Sequence, residues 1–252
     1  MPRLIAALGL LCLLASTALA DQPLRVAVED HYPPYSYADE AGRMAGFNVD
    51  IAHALARAMG RECVIVALPW NELLPGLAHG QHDAIVACMA VKPDRLEFAD
   101  FTNYYLRSKT GFIGRAGMDH DTSPEALRGW TLVSQEDTAQ LAYLRETYGA
   151  VAVVEGHPSM EEAFLAVARG RADLCLTPLL AGLEFLKGEA GKGCDIIGPA
   201  LTNEQFAHAP AHIAVRKGDT GLRDQLNQGL RTIRANGDFA AISRRYFPFS
   251  VY

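Results

Sequence analysis

Residues 24–87 read LRVAVEDHYPPYSYADEAGRMAGFNVDIAHALARAMGRECVIVALPWNELLPGLAHGQHDAIVA. The first six, Leu24 to Glu29, form a short apolar strand that runs into a turn rich in Tyr and Pro, His31 to Tyr37. Gly46-Phe47-Asn48-Val49-Asp50 then leads into a helix with Ile51, Ala54, Leu55, Ala58 and Met59 on one face, closed by Gly60. Cys63 to Leu68, rich in Val and Ile, reads as the next strand. A helix carrying Leu73, Leu74 and Leu77 follows and stops at Gly80, and Asp83 to Ala87 reads as a third strand. Strands and helices alternating over short links predict an α/β class, with parallel strands and crossover helices.

The order repeats further on. Thr131 to Ser134 is a strand, and Asp137 or Thr138 caps a helix bearing Leu141, Leu144 and Tyr148. Ala150 to Glu155 is the next strand. Ser159 with Glu162 forms a capping box for a helix of Phe164, Leu165 and Val167 that ends at Gly170, and Asp173 to Thr177 is another strand. The chain closes with a strand from Ile213 to Arg216, a helix over Leu222, Leu226, Leu230 and Ile233, and a short helix ending near Tyr246. Two α/β units therefore stand in tandem. In open parallel sheets ligands bind beyond the carboxyl ends of the strands, so two facing units predict a cleft floored by strand-end loops from both.

The composition fits a soluble globular protein, with 252 residues, 50% hydrophobic and 21% charged. A net charge of −6 without any Lys/Arg-rich run disfavours nucleic acid and anionic membranes as partners. Met1 to Ala20 places Arg3 before an apolar run and ends in Ala18-Leu19-Ala20, the pattern of a secretory signal peptide cleaved before Asp21. Its strongly apolar part, Leu4 to Ala15, is shorter than the roughly 20 residues that span a bilayer. Cleavage would leave 232 of the 252 residues and, with Arg3 lost, a charge of −7. Four cysteines would remain: Cys63, Cys88, Cys175 and Cys194. They are too few for a disulfide scaffold and show no metal-ligand spacing, so free thiols are the expectation, with a Cys175–Cys194 pair left open. No cofactor or metal is expected.

The strand ends hold most of the candidate chemistry. Tyr32, Tyr35 and Trp70 are loop aromatics rather than a helical stripe, a placement that suits ligand platforms. Arg95, in Lys92-Pro93-Asp94-Arg95, is by default a solvated surface residue; its functional reading is a bidentate clamp on a carboxylate. Asp137-Thr138 opens a helix directly after a strand, where simple capping competes with anion binding at the helix start. Glu29 ends the first strand and could receive a cationic group. No nucleophile elbow, phosphate loop, dinucleotide fingerprint or paired histidine on a helix is present, and nothing points to catalysis.

Several of these stretches together resemble the bacterial solute-binding proteins of family 3, the periplasmic polar amino-acid receptors of ABC importers. They are Tyr32-Pro33-Pro34-Tyr35, Gly46 to Ala52, Trp70 with Leu73 to Leu77, Asp83-Ala84-Ile85, Arg95 with Phe98 to Tyr105, Gly170 to Asp173, and Arg245 to Phe249. The resemblance covers nearly all of the chain after Ala20, in order. It implies a periplasmic binding protein type II fold, with two α/β lobes, two chain crossovers and a ligand cleft between. Lobe one would be 21–108 plus 212–252, and lobe two 109–211. It implies a monomer in the periplasm that binds a small carboxylate-bearing solute, an amino acid or derivative, for an ABC permease.

The family's carboxylate-binding arginine matches Arg95, its stacking aromatics Tyr32 and Trp70, its first-strand acid Glu29, and its helix-start threonine Thr138. Departures stand beside these. Ala87, Cys88 and Ala90 replace the serines of many members, and Lys92 a threonine. The acid that receives the ligand's α-ammonium falls at Pro178, beside Thr177. The glycine before the helix-start threonine is Asp137. Cys63 faces Ala56 where some relatives have a second cysteine, so that bridge is absent. The implied ligand-binding set is thus Arg95, Trp70, Tyr32, Glu29, Thr138, Cys88, Ala90, Asp137 and Thr177. Two other readings remain open: a binding module serving a sensor or dehydrogenase partner, and a dehydratase resembling cyclohexadienyl dehydratase, for which Pro178 removes the obvious acid.

Overall fold

The computed structural model describes residues 22–201, 206, 210–248 and 251; the expected signal peptide, Met1 to Ala20, lies outside them. Two five-stranded sheets organise the chain. The first is centred on β1 (Leu24–Glu29), paired in parallel with β4 (Cys63–Leu68) and β5 (Ala84–Met89). Between them run the short hairpin strands β2 (Tyr37–Ala38) and β3 (Met44–Ala45), then α1 (Phe47–Ala58) and α2 (Trp70–Ala78). The register sets Glu29 opposite Leu68. The carboxyl end of β1 therefore lies next to the chain that enters α2 at Trp70.

The sheets are mixed rather than parallel throughout. After β5 the chain makes a 3₁₀ turn at Arg95–Glu97 and then β6 (Ala99–Arg107), which the sequence reading left without an element. The returning strand β12 (Pro210–Arg216) inserts between β5 and β6 and is antiparallel to both. In the second sheet, β7 (Thr110–Arg115) runs antiparallel to β10 (Leu174–Pro178) and β11 (Cys194–Ile197). The parallel part is β9 (Val153–His157), β8 (Thr131–Gln135) and β10 in that order. Helices α3 (Ala139–Tyr148) and α4 (Met160–Ala168) provide the crossovers. The expected strand at 150–155 forms three residues later in the chain, and α5 (Leu179–Lys187) starts directly from β10.

Two local details fix the geometry near the cleft. Gly46 has φ +119, and a Cβ there would lie 2.4 Å from the Tyr35 carbonyl oxygen, so only glycine lets α1 start against the 32–36 turn. Of the two alternatives at the start of α3, the cap is Thr138, whose Oγ1 accepts from the Leu141 N–H; Ser159 caps α4 by accepting from the Glu162 N–H. The C-terminal helices α6 (Thr220–Ala235) and α7 (Asp238–Tyr246) return to the first sheet. There the Phe47 ring of α1 packs 6.0 Å from Phe239 and 5.1 Å from Phe247. Cys63, Cys88, Cys175 and Cys194 are free thiols, so Cys175 and Cys194 do not pair here. Among the described residues no helix is long and apolar enough to cross a membrane.

Candidate functional site

The carboxyl ends of the parallel strands of both sheets meet across a cleft of about 60 Å³. Tyr32, Trp70, Cys88, Ala90 and Arg95 line it from the first sheet; Gln135, Thr138, Met160 and Pro178 line it from the second. The segment that crosses between sheets adds Ser108, and the start of β7 adds Thr110. Of the expected ligand set, five residues thus wall the cleft from one side and Thr138 from the other.

Arg95 is 4% exposed. Its Nη1 donates to the Ala90 carbonyl at 2.7 Å and its Nη2 to the Asp137 carbonyl at 2.6 Å, the second bond joining the two sheets. The guanidinium carbon lies 5.2 Å from the centre of the Trp70 ring. Burial lowers its pKa, and the charges of Asp94 and Asp137 oppose that shift without an ion pair to Arg95 among the described residues. Far from a solvated arginine, this is a buried cation whose hydrogen-bond acceptors are main-chain carbonyls.

Asp137 presents that carbonyl because its φ is +57, in the left-handed region where glycine is the usual residue and aspartate one of the better tolerated others. The structural demand at this position explains the glycine of the resembling family, and aspartate meets it. Asp137 does not line the cleft; it lines a neighbouring cavity. Lys92 Nζ reaches the same carbonyl at 3.4 Å.

Glu29 does not line the cleft directly. It is 2% exposed, its Oε1 accepts from Gln135 Nε2 at 2.6 Å, and its Oε2 has no hydrogen-bond partner. Desolvation raises its pKa from 4.5 to about 8, against the Gln135 hydrogen bond and with a smaller push from Asp30. A neutral carboxyl therefore waits behind Gln135. Thr177 also lies beneath the surface: it is fully buried and its hydroxyl donates to the Pro178 carbonyl at 3.3 Å.

Cys88 adopts φ +54 and belongs to a buried polar triangle. Its N–H donates to the Tyr105 hydroxyl at 2.9 Å, Tyr105 donates to Asn48 Oδ1 at 2.8 Å, and the Asn48 amide approaches the sulfur at 3.6 Å. Burial pushes the thiol up to about 12, so it stays protonated and inert. Gln135, Tyr105 and Asn48 are functional candidates that sequence reasoning missed. For Gln135 the signal was available, since it ends a strand beside Asp137.

Two mixed α/β halves whose strand ends converge on a cleft define a solute-binding protein of the type II fold. The chain belongs to the bacterial extracellular solute-binding proteins, family 3, whose profile matches residues 24–249. It is 35% identical over 252 residues to the L-arginine-binding protein of Pseudomonas aeruginosa, covering 99% of this chain and 97% of the relative. It is 24% identical over 258 residues to the histidine-binding periplasmic protein of Escherichia coli K12, covering 100% and 99%. An ancestral arginine-binding protein bound to arginine superposes with a TM-score of 0.82 at 27% identity, covering 89% of this chain and 98% of that one.

Proposed function

We propose that the protein captures an α-amino acid with a cationic side chain and delivers it to an ABC permease, without turning it over. The observation that carries this reading is the Arg95 guanidinium, buried with only carbonyl acceptors. A buried charge without an ion pair among the described residues favours an anionic ligand group, and a guanidinium fork fits a carboxylate. Glu29, with one oxygen unpartnered, would receive the cationic end, and Tyr32 and Trp70 would flank the body. Thr138, at the start of α3, would add a donor to the carboxylate, while Cys88, Ala90 and Thr177 would shape the wall. The arginine-, histidine- and lysine-binding relatives support this choice of solute.

The same reading places the protein in the periplasm after removal of residues 1–20, as a monomer. Lobe one would comprise 21–108 plus 212–252 and lobe two 109–211. The ladders support such a division, since β6 and β12 belong to the first sheet and β7 to the second. Isothermal titration with L-arginine, L-lysine, L-histidine and agmatine tests the proposal. Agmatine keeps the guanidinium but lacks the carboxylate, and it should fail to bind. Binding of agmatine as tight as that of L-arginine would overturn the assignment of Arg95.

A further inference from the structure

Beside the cleft lies a larger cavity, of about 540 Å³, within the range of about 300–1,000 Å³ typical of small-molecule sites. The Arg95 side chain, bridging the Ala90 and Asp137 carbonyls, stands between the two spaces and lines both. Trp70 and Arg95 line both spaces, so the cavity adjoins the cleft across these two side chains. Leu74 and Ala78 of α2, Met89 of β5 and the Phe98 ring, 54% exposed, give it an apolar lining, and Trp70 contributes one edge.

Two acidic residues, Asp94 and Asp137, are among those that line the chamber. Asp94 is paired with Lys92 at 3.3 Å, whereas the exposed Asp137 carboxylate forms no hydrogen bond or ion pair among the described residues. The Arg95 guanidinium in the lining is held by two carbonyls, and an apolar lining with aromatic edges and one acidic residue free of hydrogen bonds and ion pairs among the described residues matches an ammonium on an aromatic or alkyl body. We propose that this chamber is a second ligand site, distinct from the amino-acid cleft, that takes a small amphipathic amine. Asp137 belongs to the second sheet's side and the remaining lining to the first, so an occupant would touch both halves.

Phenethylammonium is a suitable probe, with 2-phenylethanol and 3-phenylpropionate as neutral and anionic counterparts. The chain has two tryptophans, so in ¹⁵N-labelled protein one of two indole signals belongs to a residue that lines both the chamber and the cleft, and competition with L-arginine tells the two apart. The Trp70 indole should shift and saturate with phenethylammonium while Trp130 stays in place, and the neutral alcohol should bind about threefold to fivefold more weakly. Ala78→Phe should fill the chamber and abolish the shift while leaving L-arginine titration unchanged. Asp137→Asn, which tolerates the same left-handed backbone, should reduce phenethylammonium to the affinity of the alcohol. An unmoved Trp70 signal, equal binding of phenylpropionate, or competitive displacement of the probe by L-arginine would each overturn the proposal. Failure of L-arginine to bind at all would count against the proposed solute and leave the probe titration to decide the chamber.

Discussion

The two faces of the cleft are built from different chemistry. The first sheet's side presents the buried cation Arg95 with the aromatics Tyr32 and Trp70, and holds the buried Glu29 beneath that lining. The second contributes neutral groups, Gln135, Thr138 and Pro178, and the main-chain carbonyl of Asp137. The difference separates two tasks that a symmetric cleft would share. Under the proposed function, the first side would read the charges of the solute and the second would supply its neutral partners.

The strongest way to break this asymmetry is Arg95→Ala. It should weaken binding of a carboxylate-bearing solute by about 2–5 kcal/mol, at least thirtyfold by titration calorimetry. Arg95→Lys should recover only part of the loss, because an ammonium cannot reproduce the fork. A loss of less than about threefold for Arg95→Ala would move the charge reading to another residue.

Glu29 sharpens the comparison through pH. Its carboxyl is held near 8 in the folded chain against an ordinary 4.5, so the folded state keeps a proton that the unfolded chain releases. The stabilising contribution is fully present below about 4.5 and is lost as pH rises through about 8. Unfolding free energy of the ligand-free protein should therefore fall from pH 5 to pH 8, and Glu29→Gln should flatten that slope. A cationic solute favours the carboxylate, so binding near pH 7 should release a proton and tighten as pH rises. Calorimetry in two buffers of different protonation enthalpy measures that proton directly; equal apparent enthalpies would dissociate Glu29 from the solute.

Placing an acid on the neutral face tests the other half of the comparison. Pro178 starts α5 with no side-chain cap, so Pro178→Asp can both cap the helix and offer an α-ammonium acceptor. Affinity for an α-amino acid should rise by about tenfold relative to its des-amino analogue. The smallest expected effect is Thr138→Ala, which removes the cap on α3 and should cost about 1 kcal/mol in denaturant unfolding.

Much of this was legible in the sequence, and the exceptions have physical causes. α1 and α2 announced themselves because each buries an apolar stripe at helical spacing, and β1 and β4 because each is a short, strongly apolar run. β7 did not, because glycines at 111 and 114 interrupt its apolar residues and weaken a strand pattern. In the fold they are packing requirements, since a Cβ on Gly111 would lie 2.8 Å from Leu179 and one on Gly114 2.6 Å from Leu174. β6 was hidden by an irregular alternation of buried and exposed residues, and α5 by starting from Pro178 with no intervening loop. In the cleft, Arg95 and Trp70 could be assigned through family resemblance. The Asn48–Tyr105–Cys88 triangle joins residues up to 57 positions apart, and no local pattern records it.

The bond from Arg95 to the Asp137 carbonyl has a consequence for how this protein can vary. Its acceptor is an atom that every residue type carries, so side-chain exchange at 137 leaves it untouched as long as the new residue accepts φ +57. Glycine and asparagine meet that condition best; a β-branched residue would not, because it strains there and would swing the carbonyl away. Selection on this contact therefore registers as tolerance of backbone shape at position 137 and stays invisible to any search for matched charges.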